Sequence, residues 1–177
     1  MPTLQSRVKK LEIGTFNNQD IFEVLKDGRE QDKLLQAINC GNGTVGRALS
    51  LYEDGNLSGL MDFFVSVVLD MKSSKEVLDF SNKATALNCT INEFLSVAEI
   101  VFRDMLMQKL NKTELVTNKT IIQKLSEAPK FSQGALVYIL DKINQAKRRE
   151  KFNANATMLI EWVLFSTLEG KFKWQKL

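Results

Sequence analysis

Six apolar residues, Leu60, Phe63, Phe64, Val67, Val68 and Met71, recur at i, i+3, i+4, i+7, i+8 and i+11, and a second series, Ile91, Phe94, Leu95, Ala98, Phe102, Met105 and Leu106, repeats the pattern. Spacing of this kind puts every member on one face of a 3.6-residue helix and scatters them over both faces of a strand. Two long helices, each with a full apolar face, must find further helices to cover them. The chain is therefore expected to be all-α, and its 177 residues are enough to bury a substantial core. With 44% hydrophobic and 25% charged residues it has the balance of a folded globular protein rather than a disordered one.

One segment breaks the helical rule. In residues 8–16 (VKKLEIGTF), Leu11 and Ile13 alternate with Lys10 and Glu12, the period of a short strand. After it the spacing predicts three short helices: one capped by Asn17 and stopped by Gly28, one over residues 30–39 stopped by Gly41, and one over residues 45–52. Asp54-Gly55-Asn56 is the clearest boundary. The predicted organisation is thus residues 1–16 with the strand remnant, a small helical unit at 17–55, and a larger helical unit at 56–177. Shorter helices are expected around Val77 and around Ile121, Ile122 and Leu125, with another over residues 133–149. The last helix, beginning after Asn153-Ala-Asn155, reads MLIEWVLFSTL from Met158 to Leu168. It is apolar nearly all round and must be covered on more than one side, in part by another chain.

Motifs for chemistry are sparse. Gly41, Gly43 and Gly46 match G-x-G-x-x-G, but a dinucleotide loop needs a buried strand before it and a βαβ unit around it. Here a helical segment precedes the glycines, so they read as a helix–turn–helix connection with Gly41 as C-cap and Thr44 as N-cap. The chain has no histidine and no GxxxxGK[ST] loop, which removes Ser-His and Cys-His nucleophiles, the usual zinc sets and a phosphate cradle. Cys40 and Cys89 have no CxxC partner and read as reduced thiols. The carboxylate pairs Asp62 and Asp70, and Glu93 and Glu99, fall on polar helix sides and read as surface charges.

A net charge of +3 is too small to make the whole molecule a nucleic-acid footprint. The local run from Lys142 to Lys151, with Lys147, Arg148 and Arg149 at its centre, is a candidate DNA-facing patch, although basic residues there also complement a helix dipole. No apolar run approaches the roughly 20 residues of a membrane span, and MPTLQSRVKK lacks a signal core, so the expected setting is the cytoplasm with no membrane contact. The Asn-x-Ser/Thr triplets then reflect an asparagine-rich composition.

Three stretches carry a family resemblance. Residues 2–8 (PTLQSRV) resemble the LPTIxSRC sequence that closes the ATPase-like domain of bacterial clamp-loader subunits, members of the AAA+ family. Residues 43–49 (GTVGRAL) are similar to the GSPGRAL of the delta-prime type within DNA polymerase III; the gamma/tau type carries Asp where this chain has Ala48. Asn153 and Asn155 with Leu159, Glu161 and Leu164 are similar to the N-x-N…L-x-E-x-L-L pattern of the last collar helix. The three lie in family order across nearly the whole chain.

The resemblance implies the end of an AAA+ domain (1–16), a helical lid (17–55) and a collar domain for oligomerisation (56–177). It implies a subunit that is no enzyme by itself and needs no cofactor, within a complex that has DNA-directed DNA polymerase activity. Its partners would be the gamma/tau and delta subunits, with the sliding clamp and primed DNA reached indirectly. Arg7 matches the arginine that acts in trans on a neighbour's ATP, although Val8 replaces the family's cysteine. Arg47 matches a nucleotide-sensing position and is expected to be structural here. Trp162, Phe165 and Leu168 are the expected contacts with adjacent collar domains. The alternatives are a gamma/tau ATPase subunit and a free-standing helical nucleic-acid-binding adaptor.

Overall fold

The computed structural model describes residues 14–41, 43–53, 56–125 and 131–173. Among them are nine α-helices and no strand: α1 Asn18–Leu25, α2 Gln31–Cys40, α3 Val45–Glu53, α4 Asn56–Asp70, α5 Ser74–Ala86, α6 Ile91–Lys109, α7 Lys119–Lys124, α8 Gln133–Glu150 and α9 Ala156–Lys173, with a 3-10 turn at Thr113–Leu115. The fold is all-α. Most of the expected strand, and Arg7 with it, lies outside the described residues. Residues 14–16 form no regular element, but the Phe16 N–H donates to the Gly43 carbonyl at 2.8 Å.

That contact explains one glycine of the G-x-G-x-x-G match. Gly43 has φ +73°, and a Cβ there would lie 2.6 Å from the Thr15 side chain, so the position serves the close passage of the preceding chain across the α2–α3 turn. Gly41 caps α2 through an N–H bond to the Ile38 carbonyl and faces Ala48 across the same turn. Both flanking elements are helices, so no phosphate-binding strand–turn–helix exists at this place.

Helices α1 to α3 close around Ile21, Leu25, Leu34, Ile38 and Ala48. Their other side is joined to the rest of the molecule: Ala37, Cys40 and Leu51 belong to the main core, and Tyr52 packs against both cores. The main core is the product of the two predicted stripes. Phe64, Phe94 and Phe102 are fully buried, with Phe64 and Phe94 ring centroids 4.9 Å apart and Phe63 wedged against both at 5.3 and 6.0 Å. Burying one such ring is worth about 1.5–3 kcal/mol, and each tilted or edge-on ring pair adds about 0.5–1.5 kcal/mol.

Helix starts obey local chemistry. Asn17, Thr90, Ser132 and Asn155 each accept a backbone N–H of the next turn, and Glu76 and Glu93 reach back to the N–H groups ahead of α5 and α6. The buried Asp104 of α6 accepts the N–H groups of Thr117 and Asn118 at 2.7–3.0 Å, fixing the loop that leads into α7. Burial pushes the Asp104 carboxyl above its ordinary range against those hydrogen bonds.

Helix α9 is covered on more than one side. It is enclosed largely by its own chain, packing on α8, α5 and α6. Gly170 lets it approach α8 so closely that a Cβ would stand 2.7 Å from Ile139 Cδ1. Lys171, only 3% exposed, runs its ammonium onto the Val68 and Met71 carbonyls at the end of α4, each at 2.8 Å. What α9 leaves uncovered is a narrow strip.

Candidate protein-interaction face

Helices α8 and α9 form an antiparallel hairpin, and its turn is written by the two asparagines of the N-x-N pattern. Asn153 adopts φ 59°, a left-handed conformation that asparagine tolerates, and Asn155 Oδ1 caps α9 by accepting the Met158 N–H at 3.1 Å. The hairpin lays Tyr138 and Lys142 of α8 beside Trp162, Phe165, Ser166 and Glu169 of α9, around an open groove of ≈ 400 Å³.

Cations and rings interleave along this groove. The Arg149 guanidinium lies 3.8 Å from the Trp162 ring centroid, and Lys142 Nζ lies 5.9 Å from the same ring and 5.2 Å from that of Tyr138. Each such contact contributes about 0.5–1 kcal/mol at an exposed site. Tyr138 donates its hydroxyl to Glu169 at 2.6 Å, which pushes the phenol up to about 12. Hydrogen bonds from Lys173 first, then Tyr138, hold the Glu169 carboxyl below its usual value. The far wall is apolar: Phe165 is 41% exposed, and Val137, 51% exposed, continues the surface along α8.

The structure thus merges two sets of residues that the sequence kept apart. Trp162 and Phe165 from the expected collar contacts and Arg149 from the expected DNA-facing patch share one surface. Leu168 is half-buried and packs against the main core. Lys147 turns to Glu99 of α6 in an ion pair, and Arg148 is exposed. All three basic residues fill the last turn of α8, where they complement its dipole. Tyr138 and Glu169 escaped the sequence reading as functional residues, and Lys142 entered it only as the start of the basic run. The signal was present: Tyr138, Lys142 and Arg149 stand at i, i+4 and i+11 on one helix face, but only the hairpin brings that face to Trp162.

Most of the other candidate residues make contacts within the fold. Arg47 donates to Ser96 Oγ at 2.6 Å and to the Asn92 carbonyl at 3.3 Å, tying α3 to α6. Asn92 in turn donates to Glu150 at 2.8 Å, which extends the seam to the end of α8. Of the carboxylates, Asp62 pairs with Lys124 at 2.7 Å, Glu93 caps α6, Glu99 holds Lys147 and Asp70 is exposed. Cys40 and Cys89 are free thiols, and burial pushes Cys40 up to about 12, far from a thiolate nucleophile. Among the described residues no three metal-ligating side chains converge, and no helix is long and apolar enough to cross a membrane.

Compared with protein-family models, curated proteins and solved structures, the chain matches none.

Proposed function

We propose that this chain is a non-catalytic, delta-prime-type subunit of a bacterial clamp loader, whose small helical unit (17–55) is the lid and whose larger unit (56–177) is the collar that joins sister subunits. The observation that carries the reading is the α8–α9 face: on a helix packed largely against its own chain, half-buried Trp162 and exposed Phe165 line a groove, and Met158 and Phe172 are exposed along the same helix. Trp, Tyr and Arg clustered around a groove are the composition of an interface centre. The N-x-N pattern supports the same reading, since its asparagines build the turn that creates the face. Arg47 is a strut between lid and collar in this account. Arg7 would serve a neighbour's ATP site in the assembled ring, and primed DNA and the sliding clamp would be met through the complex.

The test is assembly. Mixed at micromolar concentration with gamma/tau and delta subunits and passed over a sizing column, the chain is expected to elute with them in one complex, and Trp162→Ala with Phe165→Ser is expected to release it. Separate elution of the unaltered chain would refute the proposal.

A further inference from the structure

The α8–α9 face carries an electrostatic asymmetry that bears on its occupant. Lys142 and Arg149 are seven positions apart on α8, two helical turns or about 10.5 Å along the axis. Both cations border the Trp162 ring. Neither forms an ion pair or a hydrogen bond with a carboxylate among the described residues; Lys142 lies in the field of Glu169, whose own hydrogen bonds come from Lys173 and Tyr138. The neighbouring cation Lys147, by contrast, is neutralised by Glu99. Arg149 is therefore held beside the groove with no carboxylate partner among the described residues, while Lys142 shares Glu169 with Lys173 and Tyr138.

We infer that this groove receives an amphipathic helix of a neighbouring subunit, whose apolar residues seat against Trp162 and Phe165 and whose carboxylates, one or two turns apart, meet Lys142 and Arg149. Rim charges of this kind add little affinity but fix register and reject wrong partners, so the two cations would determine which sister helix is accepted. A single nucleic-acid strand fits less well. Arg149 already covers a face of the Trp162 ring on which a base would stack.

This inference rests on the clamp-loader reading for the origin of the helix, and on the face alone for its chemistry. The probe is a synthetic amphipathic helix with two glutamates two turns apart, beside the same peptide with lysines in their place. Trp162 emission reports binding in a Trp174→Phe background, Trp174 being the other tryptophan of the chain. The glutamate peptide should bind at least tenfold more tightly than the lysine peptide. Lys142→Glu with Arg149→Glu, shown by circular dichroism to keep the wild-type helix content, should reverse that preference.

Equal binding of both peptides, no binding of either, or tighter binding of a single-stranded oligonucleotide would overturn the inference. So would self-association of the chain that buries Trp162. Binding by the glutamate peptide in a chain that does not assemble with gamma/tau and delta would leave the recognition chemistry standing and remove the clamp-loader reading. Assembly that is indifferent to the double charge reversal would do the opposite.

Discussion

Replacing Lys171 by Met tests whether a buried charge ties the last helix to the end of α4. Lys171 caps two carbonyls, Val68 and Met71, that the helix terminus leaves without intrahelical donors. A hydrogen bond from a charged donor is worth about 1.5–3 kcal/mol, so two give about 3–6 kcal/mol gross. Against this stands the cost of burying an ammonium, which is several kcal/mol before its partners are counted. Met matches the stem and removes that cost, but leaves both carbonyls unpaired. A net loss of about 2 kcal/mol is expected, which for a chain of this size lowers Tm by about 4–8 °C.

The pH dependence carries a sign. Burial holds Lys171 below the ordinary lysine value of 10.5, so the native chain releases this proton before the unfolded chain does, and Lys171 makes stability rise with pH across that window. Thermal scans of both proteins from neutral pH to above 10.5 should therefore show the wild-type advantage widening. A Lys171→Met protein as stable as wild type at neutral pH would mean that desolvation outweighs the two hydrogen bonds, and would refute the reasoning.

Gly170→Ala forces a Cβ to within 2.7 Å of Ile139 Cδ1 between α8 and α9, and denaturant titration should show a loss of about 1–3 kcal/mol. Ser81 is buried with no partner for its hydroxyl among the described residues, so Ser81→Ala should leave the unfolding midpoint unchanged or raise it. Glu76 is held below its ordinary value first by the Lys72 N–H and then by that of Ser73. Its stabilisation is present above the unfolded value and lost as pH falls through the folded one, so the gap in Tm between wild type and Glu76→Gln should close on acidification. Isothermal titration with ATP should give no heat of binding, since the glycines that resemble a nucleotide loop seat Thr15 and Phe16 instead.

Much of the fold was legible because period 3.6 is a local property. The stripe from Leu60 to Met71 is buried throughout, and the caps at Asn17 and Asn155 are set by residues within a turn of them. Packing partners were not legible, because they depend on residues far apart in the chain. The nearly uniform apolarity of α9 gave no direction to its exposed strip, and only the arrangement of α5, α6 and α8 around it leaves Phe165 open and turns Leu168 inward. The basic run had the same limitation: Lys147 and Arg149 are two positions apart, and one reaches Glu99 while the other covers Trp162. Leu78 is 57% exposed because α5 buries Val77, Phe80, Ser81 and Ala84 instead.

The central claim is that the open strip of the α8–α9 hairpin is the seat of a sister subunit. Hydrogen exchange read by mass spectrometry, on the chain alone and mixed with gamma/tau and delta, tests it most directly. The account predicts added protection in Gln133–Glu150 and Ala156–Lys173 in the mixture. Unchanged exchange in both helices, or protection confined to α1–α3, would contradict it.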